Sequence, residues 1–404
     1  MLLRTLSCLS GLLCLFATQC GGTAPAGDVQ RVTVGDTLIV TTTPSDEPRT
    51  SLYHFEPDLV IGVGEGESMD DPFMFSYIAD LTVDPDGQIY ALEYGDREVR
   101  IFNSSGQFLR RFGRSGQGPG EFHSGADAVQ PISILQDGRV VVEDYPFSIE
   151  VFDKDGIYEQ SIDLNPLNLN IHVSGRAFFP IHWLSDIGTM VIPWRYSSRQ
   201  EGMVYRFLLT DESFGSVRWL PVRISYSAMY SEGSTSISLP FVGRAVWTMT
   251  GNSTIVWAKS DEYRLTCYDI GQDRWMQLVL NVEPVPVTSA DIEKFKERHL
   301  SYGPASRRAV FEPLYNRAPY PKNRPFFSSL TGDDEGNIWV ARDVETYLIG
   351  EPEMYHYDLF SEDGEWMGIV ESPRLWEVIK DGFAYATSSA EYPVIERFRI
   401  APHN

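Results

Sequence analysis

The chain has 404 residues, and its 56 acidic residues outnumber the 33 Lys and Arg, so the formal net charge at pH 7 is −23. A sequence pI near 4.7 argues against a DNA- or RNA-binding surface, which needs a basic stripe, and against electrostatic docking onto anionic lipid. Hydrophobic residues make up 43% of the chain, which excludes an intrinsically disordered protein. We therefore expect a folded, acidic protein with no nucleic-acid partner.

The first 26 residues predict export from the cell. One positive charge, Arg4, precedes an uncharged, mostly apolar run at residues 6–16, which is too short to span a membrane and is typical of a secretory signal. The following segment up to Cys20 resembles a bacterial lipoprotein signal, in which the cysteine becomes the lipidated N-terminus. Ordinary secretion, with cleavage after the A-x-A pattern at residues 24–26, is the alternative. We expect a cell-envelope lipoprotein, on the periplasmic side or at the outer membrane, or else a secreted soluble protein.

Cysteine usage excludes a disulfide framework. Cys8 and Cys14 lie in the signal, so the mature chain keeps Cys20 and Cys267, and an acylated Cys20 cannot form a disulfide. Cys267 lies in a strand-like alternation at residues 264–269. We expect its thiol to be a small buried hydrophobe rather than a nucleophile, because no neighbour in sequence would lower its pKa.

The body of the chain repeats a unit of four short strands joined by tight turns. The clearest copy spans residues 78–112, with turns at Gly87 and Gly106. The equivalent first-turn glycines of the six copies are Gly87, Gly138, Gly188, Gly251, Gly336 and Gly382. A four-stranded unit that recurs every 40–50 residues is the period of a β-propeller blade. The sequence therefore predicts an all-β, six-bladed propeller with four-stranded antiparallel blades.

The longest spacing between turn glycines contains a proline-rich insertion at residues 284–326, between blades 4 and 5. Within it, residues 288–291 have the pattern of a capping box and predict a helix that ends near Leu300. Ile292 and Phe295 would lie on the packed side of this helix. We expect the insertion to cap one face of the disc.

The segment before the first blade holds two further strand-like runs, at residues 31–43 and 52–63. We expect one of them to pair with the last blade and close the ring, as is common in propellers. The chain then divides into a signal peptide at residues 1–19, a flexible tether at residues 20–34 and a single propeller domain at residues 35–404.

The repeats resemble NHL-type blades, and from about residue 30 the chain resembles an uncharacterised family of exported six-bladed β-propeller proteins of bacteria. The stretches that carry the resemblance are residues 79–122, which end in a glycine-rich run, and residues 330–339, which follow the helical insertion. The resemblance implies an NHL- or TolB-like propeller. It implies no particular activity, since propellers serve as binding, scaffolding and enzymatic folds alike.

Candidate metal ligands are few. The central channel of a propeller is surrounded by the first residues of the innermost strands, and an alignment of the six units places only Asp80 and His182 there among ligand-type side chains. A metal-dependent channel enzyme needs several such groups to converge. We therefore predict no metal site and no cofactor. A divalent cation in the channel would belong only to an enzymatic alternative, with Asp80 and His182 among its ligands.

Three arginines follow or begin strands where the propeller mouth would lie, namely Arg195, Arg244 and Arg342. In so acidic a chain they are candidates for an anion-receptive spot. The interpretation that we favour is pairing with neighbouring acids, of which the candidates are Glu143, Asp144 and Asp343.

Two acidic turns, at residues 84–87 and 333–336, have some of the residue types of a calcium loop. They lack its glycine at the sixth position and glutamate at the twelfth, so we interpret them as turn chemistry.

The pattern favours a binding module over an enzyme. A rigid disc with variable loops and no converging catalytic set is suited to binding a small molecule, a glycan or a protein on the face that carries the insertion, with the membrane reached only through the lipid. The first alternative is a metal-dependent propeller hydrolase or lyase acting at the central channel. The second alternative is a structural component of an envelope assembly, which would expose a large apolar patch.

Overall fold

The structure is a computed structural model, and it describes sixteen stretches of the chain. These are residues 26–46, 50, 52–62, 71–123, 131–135, 137–144, 148–163, 175–177, 182–184, 189–198, 202–211, 217–251, 253–301, 305–342, 352–388 and 392–403. Cys20 and Gly188, which the sequence singles out, lie outside the described residues. The architecture is a six-bladed β-propeller with one helical insertion.

The N-terminal strands and the first three blades follow one another in sequence. The strands before the blades are β1 (Gly27–Val34), β2 (Thr37–Pro44) and β3 (Tyr53–Ile61). Blade 1 consists of β4 (Ile78–Val83), β5 (Ile89–Glu93), β6 (Glu98–Phe102) and β7 (Phe108–Phe112). Blade 2 consists of β8 (Ile132–Ile134), β9 (Val140–Asp144), β10 (Ser148–Phe152) and β11 (Tyr158–Asp163). Blade 3 consists of β12 (Gly175–Ala177), β13 (His182–Leu184), β14 (Thr189–Ser198), β15 (Gly202–Asp211) and β16 (Val217–Tyr226).

The second half of the chain contains the extra elements as well as blades 4 to 6. A hairpin of β17 (Met229–Glu232) and β18 (Thr235–Ser238) precedes blade 4, which consists of β19 (Ala245–Thr250), β20 (Thr254–Lys259), β21 (Arg264–Asp269) and β22 (Arg274–Leu280). The insertion contributes helices α1 (Ser289–Ser301) and α2 (Ala305–Arg317). Blade 5 consists of β23 (Phe327–Gly332), β24 (Ile338–Arg342), β25 (Tyr355–Phe360) and β26 (Trp366–Ser372). Blade 6 consists of β27 (Val378–Lys380), β28 (Phe383–Thr387), β29 (Ile395–Pro402) and the N-terminal strand β3.

Strand β3 closes the ring. It pairs antiparallel with β29, with Ile61 opposite Ile395, so the fourth strand of blade 6 comes from the N-terminal side of blade 1. The prediction that an N-terminal run completes the last blade is confirmed. This pairing joins the N-terminal segment to the last blade, so backbone hydrogen bonds between β29 and β3 hold the ring closed.

The other N-terminal run extends blade 4, which the sequence did not predict. Strands β1 and β2 form a hairpin, and β2 adds parallel to the outer strand β22, giving a six-stranded sheet. Val40 of β2 is almost fully buried in this position. Strand β1 begins at Gly27, inside the segment predicted to be a flexible tether, so regular structure starts earlier in the chain than expected.

The turns between the first and second strands of the blades have the predicted chemistry. Asp84 accepts hydrogen bonds from the backbone N–H groups of Asp86 and Gln88 at 2.9 and 2.8 Å, and the chain reverses at Gly87 with φ of 76°. Asp333 caps the equivalent turn of blade 5. A positive φ is costly for any residue with a Cβ, which explains why glycine recurs at this place.

The apolar interior is divided into wedges between neighbouring blades. One cluster joins Val99 and Ile101 of blade 1 to Val140 and Val142 of blade 2, all fully buried. Similar clusters join blades 3 and 4, 4 and 5, 5 and 6, and 6 and 1. Blades 1, 4, 5 and 6 therefore each bury apolar side chains against both neighbours, which is the physical reason for a closed ring.

The insertion and the β17–β18 hairpin share a small core of their own. Phe295 of α1, Leu314 and Tyr315 of α2 and Ile237 of β18 are all buried together. The predicted capping box is present: Thr288 Oγ1 accepts a hydrogen bond from Asp291 N–H at 3.2 Å, and the Asp291 carboxylate accepts one from Thr288 N–H at 2.8 Å. The sequence predicted α1 but neither α2 nor the hairpin.

Candidate functional site

The topology decides which loops share a face of the disc. In a four-stranded antiparallel blade the inner strand begins at the face where the outer strand ends, so the connections between blades and the loops after each second strand lie on one face. The glycine turns lie on the other. The insertion and the β17–β18 hairpin both connect blades and lie on the first face, which we call the insertion face. Arg244, directly before β19, and Arg342, at the end of β24, lie at this face.

Asp80 of β4 connects the innermost strand of blade 1 to the innermost strand of blade 2. Its Oδ1 accepts a hydrogen bond from Leu81 N–H at 3.0 Å, and its Oδ2 accepts one from Ile132 N–H in β8 at 2.8 Å. Burial raises the pKa of Asp80 to about 7, outweighing these two hydrogen bonds, and the nearby negative charge of Glu377 raises it further. The carboxyl group is thus able to gain or lose a proton near neutral pH.

Glu377, directly before β27, is a second acidic group beside the innermost strands of the blades. Its Oε1 accepts hydrogen bonds from the N–H of Thr387, at 2.9 Å, and from the hydroxyl of the same residue. Desolvation by the surrounding protein raises the pKa of Glu377 as well, although part of its side chain is exposed. The sequence alignment missed Glu377 because it was anchored on the turn glycines, and the first strand of blade 6 is three residues long against six in blade 1, so Glu377 lies closer to its glycine than Asp80 does.

The hypothesis of a metal site in the central channel depends on Asp80 and His182. Among the residues that the structure describes, no three His, Cys, Asp or Glu side chains lie close enough together to hold a metal ion. His182 begins β13 and pairs with Val191 of β14, but its side chain lies outside the described part of the structure. Its role as a metal ligand stays a hypothesis that belongs to the enzymatic alternative.

Arg195 and Arg342 engage side chains within their own blades. Arg195 of β14 lies opposite Tyr205 of β15, and its hydrogen bond to the phenol opposes the burial that raises the pKa of Tyr205 to about 12. Arg342 donates two hydrogen bonds to Asp358 of β25, from Nε to Oδ2 at 3.0 Å and from Nη2 to Oδ1 at 2.8 Å. The ion pairing considered from the sequence does occur for Arg342, with a partner on the next strand.

Arg244 has a different setting, because it lies at the wall of a cavity of about 290 Å³ on the insertion face. We call this space the insertion cavity. Its lining residues come from the hairpin, α1, blades 4 and 5 and the segment that returns from the insertion, and they are Ser238, Leu239, Pro240, Phe241, Val242, Arg244, Ser260, Phe295, His299, Pro325, Phe327 and Ser328. Arg244 is exposed, and its backbone N–H donates to Ser260 Oγ at 3.0 Å.

The wall of the insertion cavity contains a strained residue. Phe241 is 3% exposed and has φ of 60°, a conformation that non-glycine residues with bulky side chains rarely adopt. Such strain persists only where the surrounding structure enforces it, and it is common at ligand sites. A signal for this wall exists in the sequence, since residues 229–239 alternate around Gly233 in the manner of a hairpin.

A histidine and an aspartate that the sequence did not bring together also meet on the insertion face. The Nδ1 of His123 lies 2.6 Å from Asp144 Oδ2, and the His123 N–H donates to the same carboxylate at 2.9 Å. Asp144 ends β9 and is buried, whereas the imidazole is partly exposed. The carboxylate fixes the orientation of the ring. The two residues are 21 positions apart and lie on no common motif, so only the fold reveals the pair.

Comparison with known proteins gives the fold and no family. No protein-family model and no curated protein matches the chain. Among solved structures, it is similar to a Bacteroides fragilis protein inferred to be exported, with a TM-score of 0.50 and 12% identity over 91% of this chain and all of that one. It is also similar to the calcium-binding protein regucalcin of Agrobacterium tumefaciens, with a TM-score of 0.40 and 12% identity over 88% and 97% of the two chains. Virginiamycin B lyase of Staphylococcus aureus gives a TM-score of 0.41 and 10% identity over 86% and 100%. At these identities the likeness concerns the fold alone.

Proposed function

We propose that this protein is an exported, lipid-anchored propeller that binds a small molecule in the insertion cavity. The observation that carries the proposal is that separate parts of the chain enclose this one space: hairpin β17–β18, helix α1, and the inner ends of blades 4 and 5. Blades supply a rigid floor and the connections between them supply the walls. Function is commonly carried by such loops on a rigid scaffold.

The lining of the insertion cavity has the character of a ligand site. Apolar side chains, three of them phenylalanines, and polar groups contribute about equally to the surface, and the polar groups include Arg244 and the hydroxyls of Ser260 and Ser328. Aromatic side chains beside a few placed polar groups are typical of small-molecule pockets, which span about 300–1,000 Å³. The volume of about 290 Å³ favours a small molecule over a glycan or a protein as the ligand.

Filling the cavity tests the proposal. Ser328 is exposed at its wall, so Ser328→Phe would occupy the space, whereas Ser236→Phe makes the same change at an exposed position of β18 outside the lining. A fragment library would be screened by ligand-observed NMR against the mature protein and both variants. We expect hits that Ser328→Phe abolishes and Ser236→Phe retains. Hits that survive Ser328→Phe unchanged, or no hits at all, would overturn the proposal.

The lipid anchor rests on the sequence alone, on the short apolar run followed by Cys20. Within the described ranges, no helix has the length and apolar character needed to cross a membrane. Labelled palmitate in the expressing bacterium should be incorporated into the wild-type protein and be absent from Cys20→Ala. A protein recovered without label and starting after residue 26 would show ordinary secretion instead.

Metal-dependent chemistry at the channel is a second candidate, for which Asp80 and Glu377 would supply two carboxyl groups, since the negative charge of Glu377 acts on Asp80. Elemental analysis of the purified protein and its thermal midpoint with and without EDTA test this. A stoichiometric metal whose removal lowers the midpoint in the wild type, and has no effect in Asp80→Asn, would support it. The absence of both effects would remove this candidate.

A further inference from the structure

We infer that the insertion cavity is selective for small organic anions, and that it holds a carboxylate against Arg244 with an apolar remainder against the phenylalanines. The inference rests on the proposed function of the cavity and adds the chemical class of its ligand. Four observations support it: the charge of the lining, the state of Arg244, the hydrogen-bond donors beside it, and the apolar wall opposite.

Among the residues that the structure describes, the lining contains no acidic side chain, although acids outnumber Lys and Arg by 56 to 33 in the whole chain. Its ionisable side chains are Arg244 and His299. Asp261, which follows the lining residue Ser260, lies beside Gly243, and its carboxylate is paired with Lys259, whose Nζ donates to Oδ2 at 2.5 Å. The charge of the cavity lining is therefore opposite in sign to the net charge of the protein, which favours an anionic ligand over a cationic one.

Arg244 is set apart from most exposed arginines of this chain. Arg114, Arg308 and Arg317 each pair with a carboxylate, as does the partly exposed Arg342. For Arg244, no ion pair with any acid occurs within the described ranges. A guanidinium offers a planar fork of donors that matches a carboxylate with two parallel bonds. The guanidinium of Arg244 at the cavity wall is therefore the group that recognises the carboxylate of the ligand.

The neighbouring hydroxyls add donors without adding charge. Ser260 is 2% exposed, and its Oγ accepts the N–H of Arg244, so the hydroxyl proton can still be donated to a bound oxygen. Ser328 lines the same wall. One guanidinium and a few hydroxyls match a single negative charge. A phosphate dianion is matched better by several permanently charged groups, and Arg244 is the one guanidinium among the lining residues described above.

The remaining surface would hold an apolar body. Phe241, Phe295 and Phe327 are buried side chains that line the cavity, and the ring of His299 stacks on Phe295 with a centroid distance of 4.2 Å. Aromatic side chains pack well against a ring or a short alkyl chain. The ligand class is thus a monocarboxylate with a single ring or a short chain.

The test compares carboxylates with their neutral amides on the mature full-length protein. The probes are benzoate, phenylacetate and hexanoate, each paired with its amide, and binding is measured by calorimetry and ligand-observed NMR. The variants are Arg244→Gln, Arg244→Lys and the matched control Arg274→Gln. Arg274 is also an exposed arginine of blade 4, at the opposite face of the disc. Urea unfolding midpoints establish that each variant is folded.

We expect at least one carboxylate to bind about tenfold or more tightly than its amide, because charge-assisted hydrogen bonds are stronger than neutral ones. Arg244→Gln should abolish this preference, Arg244→Lys should restore part of it, and Arg274→Gln should leave it unchanged. Equal binding of carboxylate and amide, or indifference to Arg244→Gln, overturns the anion inference while the cavity stays a binding site. No binding of any probe to the wild type overturns the anion inference. Fragment hits sensitive to Ser328→Phe would then show that the proposed function survives it.

Discussion

The carboxylate of Asp358 is fully buried in blade 5, and replacing it with an amide tests how much one buried charge contributes to the propeller. It accepts four hydrogen bonds: two from Arg342, one from Tyr263 Oη at 2.6 Å and one from Trp366 Nε1 at 2.9 Å. Burial and the adjacent carboxylate raise the pKa of Tyr263 well above its ordinary value, so the phenol stays a donor. All four donors therefore need an acceptor at this point.

Asp358→Asn keeps one acceptor oxygen and places an NH₂ group against two donors. Each lost bond to a charged group costs about 1.5–3 kcal/mol, and the partly exposed Arg342 recovers some hydration, so we expect a loss of about 3–4 kcal/mol of unfolding free energy. Tyr263→Phe removes one bond and should cost about 1.5–3 kcal/mol. The double variant should cost less than the sum, because both changes act on one carboxylate.

Urea unfolding followed by tryptophan fluorescence measures these differences. The matched control is Asp153→Asn in the outer turn of blade 2, where Asp153 caps the turn as Asn103 does in blade 1. Asparagine already fills this role one blade away, so the control should change stability by less than about 0.5 kcal/mol. A loss below about 1 kcal/mol for Asp358→Asn would refute the argument that the four donors depend on this carboxylate.

Three further outcomes follow from burial and topology. Asp80 binds a proton more tightly in the folded protein, with a pKa of about 7 against about 3.9 unfolded, so its contribution to stability declines as pH rises from about 4 to about 7. Asp80→Asn should remove this decline, and unfolding free energies with the same pH slope in both proteins would contradict the assignment. Burial raises the pKa of the Cys267 thiol to about 12, so a thiol reagent at pH 8 should label a chain that starts at residue 26, in which Cys267 is the sole cysteine, only in urea; labelling of this chain in the native state would refute the buried position. Deleting residues 1–62 removes β3 and should abolish cooperative unfolding. Deleting residues 1–44 keeps β3 and should retain cooperative unfolding. If both truncated proteins unfolded cooperatively, ring closure would not depend on β3.

The blades were predictable because their signals are local. A turn such as that at Gly87 needs an aspartate to cap it, a glycine with positive φ and alternating strands on both sides, and all of these lie within about ten residues. The capping box at residues 288–291 is equally local. Such features report their structure without knowledge of the rest of the chain.

The site was harder to predict because it depends on which blades are neighbours. Arg342 was expected to find an acid adjacent in sequence, yet its partner Asp358 lies on the next strand, 16 positions away. The insertion cavity needs Ser238 and His299, from two different connections, to meet across the top of blade 4. Nothing in the periodicity of one repeat contains that information, since the meeting follows from the closed ring.

The ring also separates the residues that maintain the fold from those proposed to bind. Asp358 is fully buried within one blade, and each of its contacts serves packing, whereas Arg244 is exposed at a boundary between a blade and a connection. A change at Arg244 removes no buried partner, so it should alter ligand preference with little effect on the unfolding midpoint. A change at Asp358 should lower the unfolding midpoint with little effect on ligand preference. If Arg244→Gln lowered the unfolding free energy as much as Asp358→Asn, Arg244 would be a structural residue and the cavity would lose its recognition element.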